Sequence, residues 1–485
     1  MGAKIFSACL IVLFNVVPSY GAGILEKVTL FNPIGDLSTP LEKRVDGLMI
    51  KGFLRNLSKL NLHGHTYDLG YGYRRTDEFS SIEWLAELEL RYRVSPNIEL
   101  VNIENFLYDA SFDWDKSGHY SKEVTGKEIE YYRTPERIIR ELYAHIFYKQ
   151  WELILGKQQI VWGKMDGKVI DIINPNDNRY GALFTQDNYE WLRLPLWMAN
   201  GVYRWKDYYL QFIWIPDFEG AKFPPLAGPF SLNLPPIPRY IHTLSRSEPS
   251  ANFLNHEWGI RANMIKHGWD MSFIYFYTWN DSPTFFRRGY LLDPHTSIPE
   301  VIFVEPKHTR LSQFGFDLDK SFYMVGRPWI LRSEILYTLN EYYTNIGEPI
   351  SRDGVSKTNR LLSALALETF LFKGELWLLL QLQQTHIFKY DHDLRSIGSL
   401  LPRDQRVFLF SLSKSFKFTD DRLEINWTEG LIDDGSGQLR LKISYRLSDY
   451  ITFFVRYWGF YGHSDDFWGM YNDRDQIEFS LNYEF

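Results

Sequence analysis

Cysteine is almost missing from this chain: among 485 residues there is one, Cys9, inside an apolar N-terminal stretch. Beyond that point neither disulfides nor thiolate chemistry is available. Long apolar runs are missing too. A membrane helix needs about 20 consecutive apolar residues, and no run after the N-terminus is long enough; the mean hydropathy is −0.29. A helical membrane protein is thereby excluded. No Pro/Ser-rich linker divides the chain into domains. The net charge of −7 is spread along the sequence and argues against nucleic acid as a partner. A nucleophile elbow, a zinc-binding helix motif, a phosphate loop and a dinucleotide fingerprint are all absent in intact form. The expectation is a non-enzyme with no cofactor and no metal. His63 and His65 form the one close histidine pair, and they read as polar loop residues near an interface rather than ligands.

What the chain does have is aromatic side chains and alternation. Tyr, Phe and Trp number 31, 35 and 16, and apolar residues make up 45%. The last ten residues, Gln476 to Phe485, alternate polar and apolar without a fault. Only a β-strand puts neighbouring side chains on opposite faces. Leu439, Leu441, Ile443, Tyr445 and Leu447 likewise oppose Arg440, Lys442, Ser444 and Arg446, and Ala86, Leu88, Leu90, Tyr92 and Val94 oppose Glu87, Glu89, Arg91 and Arg93. Strands of about ten residues, one face greasy and one wet, with abundant aromatics, fit a barrel between lipid and a polar lumen.

The N-terminus agrees. Lys4, the apolar stretch Ile5 to Val17 and the small-residue run from Ser19 to Gly23 make a secretory signal, residues 1–22, with cleavage after Gly21 or Gly23. A lipoprotein reading through Cys9 fails for want of a lipobox. Residues 23–46 are expected to be a periplasmic segment or lumen plug, and 47–485 an outer-membrane barrel.

Connection lengths set the topology. Short turns are expected at Ser95-Pro96-Asn97, Lys149-Gln150, Lys206-Asp207, His267-Gly268, Met324 to Arg327, Lys373-Gly374-Glu375, Thr419-Asp420-Asp421 and Ser448-Asp449. Between them lie long connections: Asp109 to Ile138, Gly163 to Leu194, Phe218 to His256, Asn280 to Lys307, Asn345 to Thr358 and His386 to Asp404. This is the pattern of an all-β, antiparallel up-and-down transmembrane barrel with short periplasmic turns and long outer loops. With a first strand near Gly47 to Asn56, the strand count is about 18, within a range of roughly 14 to 18. Val301 to Glu305 could be a further strand, but parity places it inside an outer loop, and Thr134-Pro135-Glu136-Arg137 reads as at most a turn or two of helix.

The segment Gly156 to Gly167, followed by Asp171 to Asp177, carries the functional expectation. A strand ends near Ile160 and enters a connection rich in Gly, Asp, Asn and Pro, with Asn174-Pro175 as turn initiation. One reading is an ordinary loop over the barrel rim. The sharper reading is a loop folded into the lumen, where Lys164, Asp166, Asp171, Asn174 and Asp177, flanked by Trp162 and Pro175, supply polar partners to the wall and constrict the pore. Candidate lumen residues are Glu87, Arg91, Arg93, Glu141, Arg261, Arg332, Glu334, Glu368, Glu424, Arg440, Lys442, Arg446, Arg456 and Glu478. Their mixed signs predict internal salt bridges and transverse fields rather than strong ion preference, against the plainer view that they simply wet the lumen.

The run Gly-Lys-Gln-Gln-Ile-Val-Trp-Gly-Lys at 156–164 and Asn-Pro-Asn-Asp at 174–177 resemble the signature of a Gram-negative outer-membrane barrel family of unknown function. The resemblance covers essentially the whole mature chain, including Arg140-Glu141-Leu142-Tyr143 upstream and Leu194-Pro195 downstream. It implies a channel associated with RND-type exporters and passage of hydrophobic compounds or lipids. Lys164 departs from it, since an acid is common at that position, and so do the Pro-rich middle loops. The Phe223 to Pro238 segment, apolar and stiff, could capture apolar ligands or shield the mouth. The expected partners are outer-membrane lipids, the barrel-assembly machinery reading the C-terminal strand that ends at Phe485, a small hydrophobic substrate and an inner-membrane RND-type transporter. The alternatives are a general hydrophilic porin, an outer-membrane lipase or protease barrel, and a sheath around a lumenal partner.

Overall fold

The computed structural model describes residues 42, 44–62, 66–68, 73–75, 79–114, 138–167, 169–180, 189–224, 240–250, 252–293, 295, 299–396, 399–463, 466–472 and 474–485. The expected signal sequence, most of the 23–46 segment, the His63/His65 pair, Thr134 to Arg137 and most of the Pro-rich stretch lie outside these residues.

The first six wall strands are β1 (Leu48–Asn61), β2 (Phe79–Ser95), β3 (Ile98–Asp109), β4 (Ile139–Tyr148), β5 (Trp151–Gln158) and β6 (Leu196–Trp205). Then come β7 (Tyr208–Ile215), β8 (Glu257–Lys266), β9 (Trp269–Trp279), β10 (Arg310–Met324), β11 (Arg327–Asn345) and β12 (Val355–Leu371). The last six are β13 (Leu376–Ile387), β14 (Asp404–Ser415), β15 (Leu423–Ile432), β16 (Gly437–Arg446), β17 (Ile451–Tyr461) and β18 (Gln476–Glu484). Each pairs antiparallel with the next, and β18 returns to β1 in a register running from Phe53↔Glu484 to Asn61↔Gln476. Gly52 and Phe485 exchange backbone hydrogen bonds of 3.1 and 3.0 Å at the end of that seam. The result is a closed 18-strand antiparallel barrel. Closure leaves no unpaired edge, as a wall facing hydrocarbon requires.

The two faces of the wall separate as alternation demands. On β18, Glu478 and Ser480 point inward and are buried, whereas Phe479 and Leu481 stand exposed outside. Exposed aromatics gather near the short-turn end: Tyr148, Trp151, Trp205, Tyr208, Trp269 and Tyr323. Lys149, Lys206 and Lys320 place their ammonium groups 5.2, 5.4 and 4.8 Å from the rings of Tyr148, Trp205 and Trp269. Amphipathic rings beside snorkelling lysines mark an interface between hydrocarbon and water. The tight turn His267-Gly268 has positive φ at both positions (51° and 74°), the geometry that matches the twist of a two-residue hairpin.

Two particulars differ from the sequence expectation. The first strand runs on to Asn61 rather than stopping at Asn56. The outer connection between β15 and β16 is short, residues 433–436, so not every outer loop is long. The Val301 to Glu305 stretch, read as a possible further strand within an outer loop, lies in the strand Pro299–Lys307. It pairs with Thr284–Leu292 and Ile241–Thr243 in a small sheet apart from the wall, so it remains part of an outer loop.

Candidate functional site: the lumen and its inserted loop

In the connection from β5 to β6, residues 159–195, the described residues 159–167, 169–180 and 189–195 lie inside the barrel against inward-facing wall residues. Its first limb docks on the inner face of β9 to β13. The buried Glu334 carboxylate on β11 accepts the backbone N–H groups of Lys164, Met165 (3.1 Å) and Ile170 (3.2 Å). Three donors converging on one carboxylate satisfy loop backbone that has no ladder partner. The Lys164 ammonium lies 2.8 Å from Asp270, 3.4 Å from Asp317 and 2.9 Å from Asp319, carboxylates of β9 and β10. These partners hold Lys164 protonated above the usual lysine range, outweighing its partial burial. Gln381 of β13 donates to the Asp166 backbone carbonyl.

Apolar contacts complete the anchorage. Trp162 is buried, donates to Gln211 at 3.0 Å, and meets Phe276 edge-on with ring centroids 6.0 Å apart. A β-carbon at Gly259 would sit 2.8 Å from the Trp162 ring, so only glycine fits under it. Ile160, Trp162, Val169, Ile170 and Ile173 share one core with inward-facing Leu196, Met198, Ile213, Ile274, Phe276 and Leu336.

Several polar residues of the loop also bond within it. Asp171 pairs with Arg193 at 2.7 Å. Asn174 accepts from the Ile160 N–H and donates to the Leu194 carbonyl, both at 2.8 Å. The Pro175 carbonyl accepts the Leu194 N–H, and Asp177 pairs with Arg179. Of the five polar side chains expected to reach wall residues, Lys164 bonds wall carboxylates and Asp166 lies under the influence of the wall arginines Arg440 and Arg332, while Asp171, Asn174 and Asp177 make bonds within the loop's own base. The second limb returns along β1 to β4, where Trp191 lies 5.7 Å from Phe53 and Arg140 stacks 5.4 Å from the Trp191 ring.

Strand registers put the fourteen candidate lumen residues on the inner face. Glu87 pairs with Phe53 and Asn105, and Glu141 receives the Gln159 amide at 2.8 Å. Arg91 meets Glu89 and Glu99 near the short-turn end, with Arg93 exposed beside them. Arg261 bonds Ser272 at 2.9 Å and Asp317 at 3.2 Å, Arg332 pairs with Glu368, and Glu424 accepts from Ser413 at 2.7 Å. Arg440 donates to Thr428 at 2.9 Å, Lys442 sits 4.5 Å over Phe454, and Arg446 is exposed. Arg456 and Glu478 form a fully buried pair, with a second, Lys59–Glu83 at 2.9 Å, nearby in the β1–β18 register.

Asp166 differs from its neighbours in the loop. It is exposed to water although the wall surrounds it, and that enclosure pushes its carboxyl above the usual carboxylate range, against the pull of Arg440 and Arg332. Acid and base thus face one another where the loop crosses the lumen.

Sequence reasoning missed the wall side of the anchorage: Asp270, Asp317, Asp319, Gln211, Gln381 and the apolar inner face. A signal existed. On β7, Leu210 and Phe212 point outward while Ile213 and Ile215 point inward, so this strand is apolar on both faces near its outer end. A lumen-facing apolar surface has to be covered by something other than water.

No protein-family model matches the chain, and no curated protein matches it. Among solved structures it is similar to a BenF-like porin from Pseudomonas fluorescens Pf-5, with 9% identity, coverage of 91% of this chain and 99% of that one, and a TM-score of 0.52. It is also similar to Pseudomonas aeruginosa OccK2 (OpdF) in complex with glucuronate, with 9% identity, 91% and 98% coverage, and a TM-score of 0.52. At such identity the likeness is one of fold. The association with exporters and hydrophobic compounds comes from the motif alone.

Proposed function

We propose that this chain is a passive channel of the outer membrane of a Gram-negative bacterium, its lumen narrowed by the 159–195 loop and its passage open to small polar solutes. The observation that carries this reading is the loop's double anchorage at Glu334 and Lys164, which fixes Asp166 within the lumen under the influence of Arg332 and Arg440. A preorganised charged constriction selects solutes by size and by charge placement without chemical change. The apolar inner surface supports a polar passage as well, because the loop itself consumes it in packing. A sheath around a lumenal partner would need an unobstructed bore, and the loop occupies that space.

Liposome swelling with neutral sugars and with glucuronate, run beside uptake of radiolabelled alkanes or sterols, tests the proposal. Permeation of the sugars and of glucuronate is expected. Uptake of alkanes or sterols with no sugar permeation would replace this reading with the hydrophobic-compound port that the motif resemblance implies.

A further inference from the structure

His308 lies outside the lumen machinery, in the connection between β9 and β10, yet it is only 1% exposed and both ring nitrogens are engaged. Nδ1 is 2.7 Å from the Asn280 carbonyl, and the Arg246 Nε–H donates to Nε2 at 2.8 Å. An arginine N–H can only donate, so Nε2 carries a lone pair and Nδ1 the proton: the ring is neutral. Burial and the neighbouring Arg246 cation hold it below the usual histidine range.

This ring joins several strips of outer loop. Phe218 packs on it at 4.6 Å between centroids, and Ala221 donates to the Asp281 carbonyl at 3.1 Å. Ser247 donates to the Pro306 carbonyl at 2.8 Å. The Phe218–Lys222 strip touches the inserted loop on its other side. The Lys222 N–H bonds the Asn176 carbonyl, and the Asn178 N–H bonds the Lys222 carbonyl, both at 2.9 Å. A continuous set of contacts therefore runs from His308 through Phe218–Lys222 to Asn176–Asn178.

We propose that His308 is an acid-operated clasp: protonation at Nε2 sets donor against donor and cation against cation at Arg246, releases the Phe218–Lys222 strip, and loosens the outer limb of the inserted loop. The charged groups on the elements packed around the ring are Asp217, Glu219 and Lys222, Arg246 and Glu248, Asp281, and Lys307. Arg246 opposes the proton, and Glu248, 3.3 Å from Arg246, favours it. The elements bistable under this change are loops, not wall strands, so the barrel itself stays closed.

The inference goes beyond the channel reading but uses conductance as its readout, so the two must fail differently. Full-length protein in planar bilayers is expected to show larger, noisier conductance as pH falls from about 7 to about 5, the window where a histidine can change charge. His308→Gln keeps an acceptor for Arg246 without a titrating proton, and it is expected to abolish the step. Arg246→Gln removes the opposing cation and is expected to move the midpoint to higher pH. If His308→Gln fails to fold, judged by heat-modifiable migration, the Arg246→Gln shift decides alone. Conductance that is flat or falls with acid, a step retained in His308→Gln, or an unmoved midpoint in Arg246→Gln overturns the clasp while leaving the channel intact. No conductance at any pH takes down both.

Discussion

The ammonium of Lys164 lies 2.8 Å from the carboxylate of Asp270, two residues 106 apart in the chain, and this contact ties the inserted loop to the wall at β9. Asp317 and Asp319 complete the acidic cage around it. An acid at position 164 would face these three like charges, so the cage calls for a cation there.

Lys164→Met takes this counter-ion from Asp270 and Asp319, while Asp317 keeps Arg261. The expected cost is on the order of 1–3 kcal/mol, below that of breaking a fully buried pair, because the lysine side chain is 25% exposed. At neutral pH the pore becomes more cation-selective, read as a reversal-potential shift in a salt gradient. Asp319→Asn in the same background is expected to bring the potential back part of the way. An unchanged potential in the single variant would remove the cage from the selectivity argument.

Glu334 binds loop backbone with both carboxylate oxygens. Glu334→Gln keeps the shape but offers one acceptor oxygen, so at least one of the Lys164, Met165 and Ile170 N–H groups loses its partner. Leaving such a group unmet costs roughly 1–3 kcal/mol. Open-channel noise should increase while the melting of the barrel wall, followed by far-UV circular dichroism, moves little. A quiet channel in this variant would show that the apolar contacts alone hold the loop.

Asp166 supplies the pH dependence of selectivity. Its carboxyl is held above the usual carboxylate range, so on acidification it takes up its proton before an ordinary carboxylate does and the passage loses a negative charge. Anion preference should therefore rise as pH falls, and Asp166→Asn should show the acid-side preference already at neutral pH with a flattened profile. A wild-type profile unchanged by Asp166→Asn contradicts the assignment.

Gly259 lies beneath the Trp162 ring and against Phe276, where a β-carbon would be 2.8 and 2.9 Å from its neighbours. Gly259→Val is expected to lift Trp162 off the wall at about 1–3 kcal/mol, the usual cost of overpacking. Conductance rises if the first limb swings free. Retention of the wild-type conductance and melting temperature together would show that the ring has room to move.

Legibility of this protein followed the range of the interaction. A strand's two faces are written in adjacent residues, so Glu478, Phe479, Ser480 and Leu481 declare inside and outside with no knowledge of the fold. Turn lengths are local too, and from Ser95-Pro96-Asn97 to Ser448-Asp449 they place the strands and the barrel. The loop from Gly163 to Leu194 could be read as polar and irregular, but its polar groups did not announce their partners. Asp171, Asn174 and Asp177 turned inward on their own loop, whereas Lys164 found acids on β9 and β10.

The alternating pattern and the turn spacing by themselves determined the barrel and the sign of each face, because pleating and hydrophobic burial act within a few residues. Only closure of the wall decided that Glu334 sits beneath the Lys164 and Ile170 N–H groups, and that Gly259 lies under Trp162. Partners so far apart in the chain meet through strand register and curvature, and no short stretch of sequence carries that information.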